Sequence, residues 1–137
     1  MDLVVCADAR VLFLQYLIAK WGQLYVGLYQ QQHAPAVTDD VGTYQRIECN
    51  FPVYVRQPIP AWVGVALDAD NVGVALGSFV NWTVTYDGTP NDVYGYFVVD
   101  SKNNLLWAQA DPAAPQPMHS VGQRYRVAPQ LALGALC

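Results

Sequence analysis

Aspartate is the side chain in this sequence best able to do chemistry. Asp39, Asp40, Asp68, Asp70, Asp87, Asp92, Asp100 and Asp111 all fall in stretches that read as turns. Two carboxylates brought together in a cleft can work as acid and base on a glycosidic bond. Turns, however, select Asp for its hydrogen bonds to its own main chain, which accounts for the same residues without catalysis. Asp68, Asp70, Asn71 and Gly73 resemble the opening of a calcium loop. That loop needs another oxygen ligand where this chain has Val72, and an acidic residue near its end where it has Phe79 and Val80. The stretch therefore reads as a tight turn. His33 and His119 lie far apart in expected loops, and the nucleophile elbow, the phosphate-cradling glycine loop and the zincin helix are all missing. Asn81-Trp82-Thr83 matches a glycosylation acceptor but sits inside an expected strand. Cys6, Cys49 and Cys137 are odd in number and widely spaced, so they read as free thiols in a reducing compartment rather than as a zinc site or a disulfide framework. No catalytic, cofactor-binding or metal-ligating residue is assigned, no cofactor is expected, and an enzyme is not the expected class.

Aromatic residues are the other candidates. Nine Tyr and four Trp could stack on sugars if exposed. Trp21 is expected to close a helix and Trp107 to sit in a hairpin core. Trp62 and Trp82 are open to either a core or an interaction surface, because Trp is enriched at interfaces.

The elements that must position these residues follow from the totals and the periodicity. At 137 residues, 53% of them hydrophobic, the chain suits one domain, 1–137, with a real core. Only 13% of residues are charged, against about 25% in soluble proteins generally. A solitary molecule so poor in charge has difficulty covering its surface, which points to apolar area buried against other chains. The net charge of −4 argues against direct contact with nucleic acid, which needs a basic footprint. No window approaches the ~20 apolar residues of a membrane span, and no convincing signal peptide is expected at the start.

In chain order, Leu3–Cys6 reads as an extended lead-in. Asp8 is placed to cap a helix over about residues 8–21, stopped by Gly22. Ala9, Leu12, Phe13, Tyr16 and Leu17 form one apolar stripe on it, and Val11, Leu14 and Ile18 form another. A helix apolar nearly all round is buried all round. One side is expected on the chain's own sheet and the other on a neighbouring subunit, the alternative being a helix clamped between two layers of its own fold. Val11, Leu14 and Ile18 are assigned to self-association. Strands are expected over Gln23–Gln31, Tyr44–Gln57, Trp62–Leu67, Val72–Leu76, Phe79–Tyr86 and Arg124–Leu133, the last interrupted by Pro129. Asp111–Pro117, DPAAPQP, is expected to be an extended arm. Short strands at this spacing predict a mainly β fold, an antiparallel β-sandwich or barrel with one N-terminal α-helix.

The centre of the pattern is a hairpin. Val93–Val99 alternates apolar residues onto both faces, Ser101–Asn104 supplies turn chemistry, and Leu105, Leu106 and Trp107 begin the return. The segment VYGYFVVDSKNNLLWAQ resembles small virion structural proteins of tailed bacteriophages. So, less specifically, do the N-terminal helix and the strand Gln23–Tyr29. The resemblance implies a capsid decoration (cement) protein on the capsid surface of the virion, made in the host cytoplasm. It would bridge major capsid protein subunits and associate with itself, as a trimer. Leu3, Val4, Trp62, Trp82, Pro112, Pro115 and Pro117 are assigned to partner contact. The alternative is a tail, neck or fibre component that binds another virion protein or a host glycan. The resemblance brings no catalytic residues with it.

Overall fold

The computed structural model describes residues 5–133. Helix α1 spans Ala7–Trp21, followed by β1 (Tyr25–Tyr29), α2 (Val41–Gln45), β2 (Gln57–Pro58), β3 (Trp62–Leu67), β4 (Gly73–Gly77), β5 (Val80–Thr83), β6 (Asn91–Val93), β7 (Gly95–Val99), β8 (Leu105–Ala110), β9 (Gln116–Met118), β10 (Arg124–Val127) and β11 (Gln130–Leu133). The fold is mainly β with antiparallel sheets and one long N-terminal helix. The strands form four separate sheets, ordered β2-β1-β7-β8, β11-β4-β3, β10-β5 and β6-β9, and do not close into a barrel.

The expected hairpin is the centre of the largest sheet. β7 pairs with β1 on one side and β8 on the other, and all five of its residues are buried. Tyr96 and Val98 point into the main core with Val26, Leu28, Trp82 and Met118. Phe97 and Val99 point to the opposite face, where Tyr29 and Tyr44 cover them. Strands buried on both faces lose the polar alternation of a half-exposed sheet, which is why this segment reads as a nearly continuous apolar run. The turn is built as expected on Asn103, at φ 64°. Its anchor is Asp100, whose carboxylate accepts from the Lys102 and Asn104 amides at 2.9 Å each.

Four elements differ from the sequence expectation. The strand expected over Val93–Val99 is broken at Tyr94: Val93 ends β6, which pairs with β9, and only Gly95–Val99 forms β7, so Val93 joins Tyr96 and Val98 in the main core rather than Phe97 and Val99. Asp8 is not the cap of α1; Cys6 stands at that position without a side-chain bond, and Asp8 lies in the first turn, where its charge favours the helix dipole. Tyr44–Gln57 is not a strand. Asp40 accepts from the Thr43 amide at 3.0 Å while Thr43 Oγ1 accepts from the Asp40 amide at 3.2 Å, a capping box that starts α2 and takes Tyr44 into it. Between α2 and β3 only an isolated bridge, Glu48 opposite Tyr29, and the two residues of β2 are extended partners of β1. The proline-rich stretch is not a free arm. Gln116–Met118 pairs with β6, with Pro117 opposite Asp92, and the Asp111 carboxylate holds the stretch by accepting from the Ala113 amide and the Tyr125 hydroxyl, each at 2.8 Å.

Candidate association surfaces

α1 lies across β3 and β4. It comes close because Gly73 has no side chain: an added Cβ would meet Arg10 Cβ and Leu14 Cδ1, each at 3.1 Å. Leu14 is 1% exposed, and Val11 and Ile18 are half-buried on the same side. The second stripe is therefore the one that faces the protein's own sheet, and the assignment of Val11, Leu14 and Ile18 to self-association is inverted. The stripe left in solvent is Leu12, Phe13 and Tyr16, at 65%, 53% and 61% exposure. Periodicity shows two apolar stripes on this helix, and only the packing says which of them the sheet has taken.

Among the described residues nothing covers the other face of the sheet under the helix. Register places Gly64 opposite Leu76 and Ala66 opposite Val74. Together with Val63, 69% exposed, these side chains line an open concavity of about 340 Å³. Among the described residues, the layer formed by α1 and β11-β4-β3 is thus apolar and uncovered on both outer sides.

Of the residues assigned to partner contact, Leu3 and Val4 lie outside the described residues. Trp82 is in the core at 3% exposure, with its indole N–H donating to the Val55 carbonyl at 2.8 Å, so it is not a contact residue. Trp62 is half-buried and stands 6.5 Å from Trp107, which in turn lies 6.1 Å from Trp21. Pro112, Pro115 and Pro117 are exposed, but on the stretch tied into the fold.

Several titratable groups hold loops. His33 Nε2 and the Tyr44 hydroxyl both contact Asp39 Oδ2 at 2.8 Å, and the Ala36 amide donates to the same oxygen at 3.0 Å. The hydrogen bond from His33, with the Ala36 amide next, holds the Asp39 carboxyl below its ordinary value. Burial, and then the Asp39 hydrogen bond, pushes the Tyr44 phenol up, so it remains a donor. Glu48 binds Arg56 through both oxygens, at 2.9 and 3.0 Å, and accepts from the Tyr54 hydroxyl at 2.5 Å. Asp68 takes the Asp70 and Val72 amides at 2.8 and 3.0 Å, the turn expected there. His33, Tyr94 and Asp111 border a cavity of about 330 Å³, where Asp111 is engaged by Tyr125 and Ala113. Among the described residues no three His, Cys, Asp or Glu side chains are grouped to hold a metal ion, and no helix is long and apolar enough to cross a membrane.

Known proteins do not decide between these uses. The chain matches no family model, no curated protein and no solved structure. What the geometry provides is exposed apolar faces on α1 and β3-β4.

Proposed function

We propose that this protein is a structural component of a tailed-bacteriophage particle, a capsid decoration protein that associates with copies of itself, as a trimer, and bridges major capsid subunits at the shell surface. The observation that carries the reading is the solvent-facing row Leu12, Phe13 and Tyr16 on a helix whose other side is already packed. Burying three such side chains favours association by several kcal/mol, at about 1.5–3 kcal/mol for each one fully covered. The hairpin that resembles phage virion proteins supports the same reading, because it forms the middle of the largest sheet rather than a peripheral loop. The contact role moves from Val11, Leu14 and Ile18 to Leu12, Phe13 and Tyr16.

A decoration protein adds buried area between shell subunits and so opposes the outward load of packaged genome. The test is to add the purified protein to phage shells lacking it. Saturable binding at many copies per particle, lost when Leu12, Phe13 and Tyr16 are replaced by Gln, supports the proposal. A few copies at a single vertex would make it a tail or neck component, and no binding to shells would end the capsid reading.

A further inference from the structure

Strand β3 is the outermost strand of its sheet, in the order β11-β4-β3. Its sequence, WVGVAL, has no charge and no proline. The free side of an edge strand is a row of N–H and C=O groups that templates another strand, and proteins usually guard it with lysines, prolines, bulges or a covering loop. β3 has one such guard, an irregularity between Trp62 and Gly64. Beyond it Gly64–Leu67 runs in regular register with β4, and among the described residues no strand pairs with its other side.

We propose that this edge pairs antiparallel with the same edge of a second copy, about a two-fold axis through Val65, to give a continuous six-stranded sheet. The geometry selects a second copy in three ways. A two-fold axis perpendicular to the sheet keeps both helices on one side. Residues directly opposite in an antiparallel pair share a face, so the axis must fall on a residue. With the axis on Val65, the two Val65 side chains meet as a β-branched cross-strand pair, and Gly64 of each copy faces Ala66 of the other. No residue of β3 carries a charge, so no like charges are opposed.

The second argument is the place of the helix. α1 packs on both β3 and β4, so the axis sets the two helices on the same side of the joined sheet, beside the seam. The third is chemical: an uncharged edge offers a charged partner strand nothing to pair with, whereas the same edge on a second copy is equally uncharged over Gly64–Ala66, where the two would pair. The pairing concerns the protein alone and does not rest on the phage reading. If the helix face closes a trimer, this contact doubles it to six copies.

The test uses charge at positions that do not disturb the single molecule. Gly64 has nothing within 4 Å of an added Cβ, and Ala66 is exposed. The double variants Gly64→Lys with Ala66→Lys, and Gly64→Glu with Ala66→Glu, are each compared with the parent chain by analytical ultracentrifugation over a dilution series. Two opposed lysine pairs should weaken two-fold association by about tenfold or more. Mixing the lysine and glutamate variants should restore it as a heterodimer. The inference is overturned if the parent is monomeric throughout, if the lysine variant keeps the parent's mass, or if the mixture fails to recombine while both variants retain the parent's circular dichroism spectrum.

Discussion

Leu12 and Leu14 stand two positions apart on one helix and have opposite surroundings: Leu14 is 1% exposed against Gly73, and Leu12 is 65% exposed. The same side chain is a core residue at one position and bare surface at the other. Leu14→Ala is expected to destabilise the fold by about 2–5 kcal/mol, as a buried truncation that leaves a cavity. Leu12→Ala is expected to stay within about 0.5 kcal/mol while weakening association. Urea denaturation of both variants, beside sedimentation at matched concentration, checks the pair. Equal destabilisation would mean that Leu12 is covered in the same molecule.

Gly27 lies directly beneath the Phe97 ring, and a Cβ there would overlap three ring atoms. Phe97 is itself stacked on Tyr44, with ring centroids 5.2 Å apart, so the ring has little room to retreat. Gly27→Ala is expected to lower stability by about 1–3 kcal/mol, as overpacking does. A shift in the thermal midpoint measures it. Gly64→Ala, with open space around it, is the matched control and should change little.

Asn91, 2% exposed, ties three loops together. Its Oδ1 accepts from the Asn50 and Phe51 amides at 2.6 and 2.9 Å, and its Nδ2 donates to Gln30 Oε1 at 3.0 Å and Asn50 Oδ1 at 2.9 Å. Asn91→Leu should cost more than a typical surface change, about 1–3 kcal/mol for each buried amide left unpaired. Hydrogen exchange should rise at Asn50 and Phe51 specifically. Unchanged protection there would show that water replaces the side chain.

Asp39 has a carboxyl held below its ordinary pKa of 3.8, chiefly by His33. A group whose pKa is depressed by folding contributes stability above its unfolded value and loses it as pH falls through the folded one. The loop around His33 and Asp39 should therefore loosen as pH drops below about 3.8, with the Tyr44 hydroxyl losing its charged acceptor. Asp39→Asn should flatten that part of the stability-versus-pH curve. An unaltered acid limb in the variant would place the acid sensitivity elsewhere.

Cys6 is exposed and Cys49 is buried. Burial, then the Glu48 charge, pushes the Cys49 thiol up to about 12, which keeps it protonated and unreactive at neutral pH. Iodoacetamide followed by peptide mass spectrometry should label Cys6 in the native protein and Cys49 only in denaturant. Native labelling of Cys49 would indicate frequent opening of the main core.

The sequence by itself determined the class of fold and its centre. Alternating apolar residues, the turn residues Ser101–Asn104 and the double-faced run Gly95–Val99 each act through local backbone geometry or simple burial, so they are readable without a third dimension; the break at Tyr94, which sends Val93 to another sheet, is not. Helix α1 was legible for the same reason, and so was its doubly apolar surface. α2 escaped because its signal is one capping pair, Asp40 and Thr43, which local reading takes for a turn. The proline-rich stretch escaped because its place in the fold depends on Tyr125 and on β6, far along the chain. Only the tertiary structure could say which helix stripe stays in solvent. Periodicity records that two stripes are apolar; the sheet can cover only one, and the choice is made where Gly73 lets Leu14 approach.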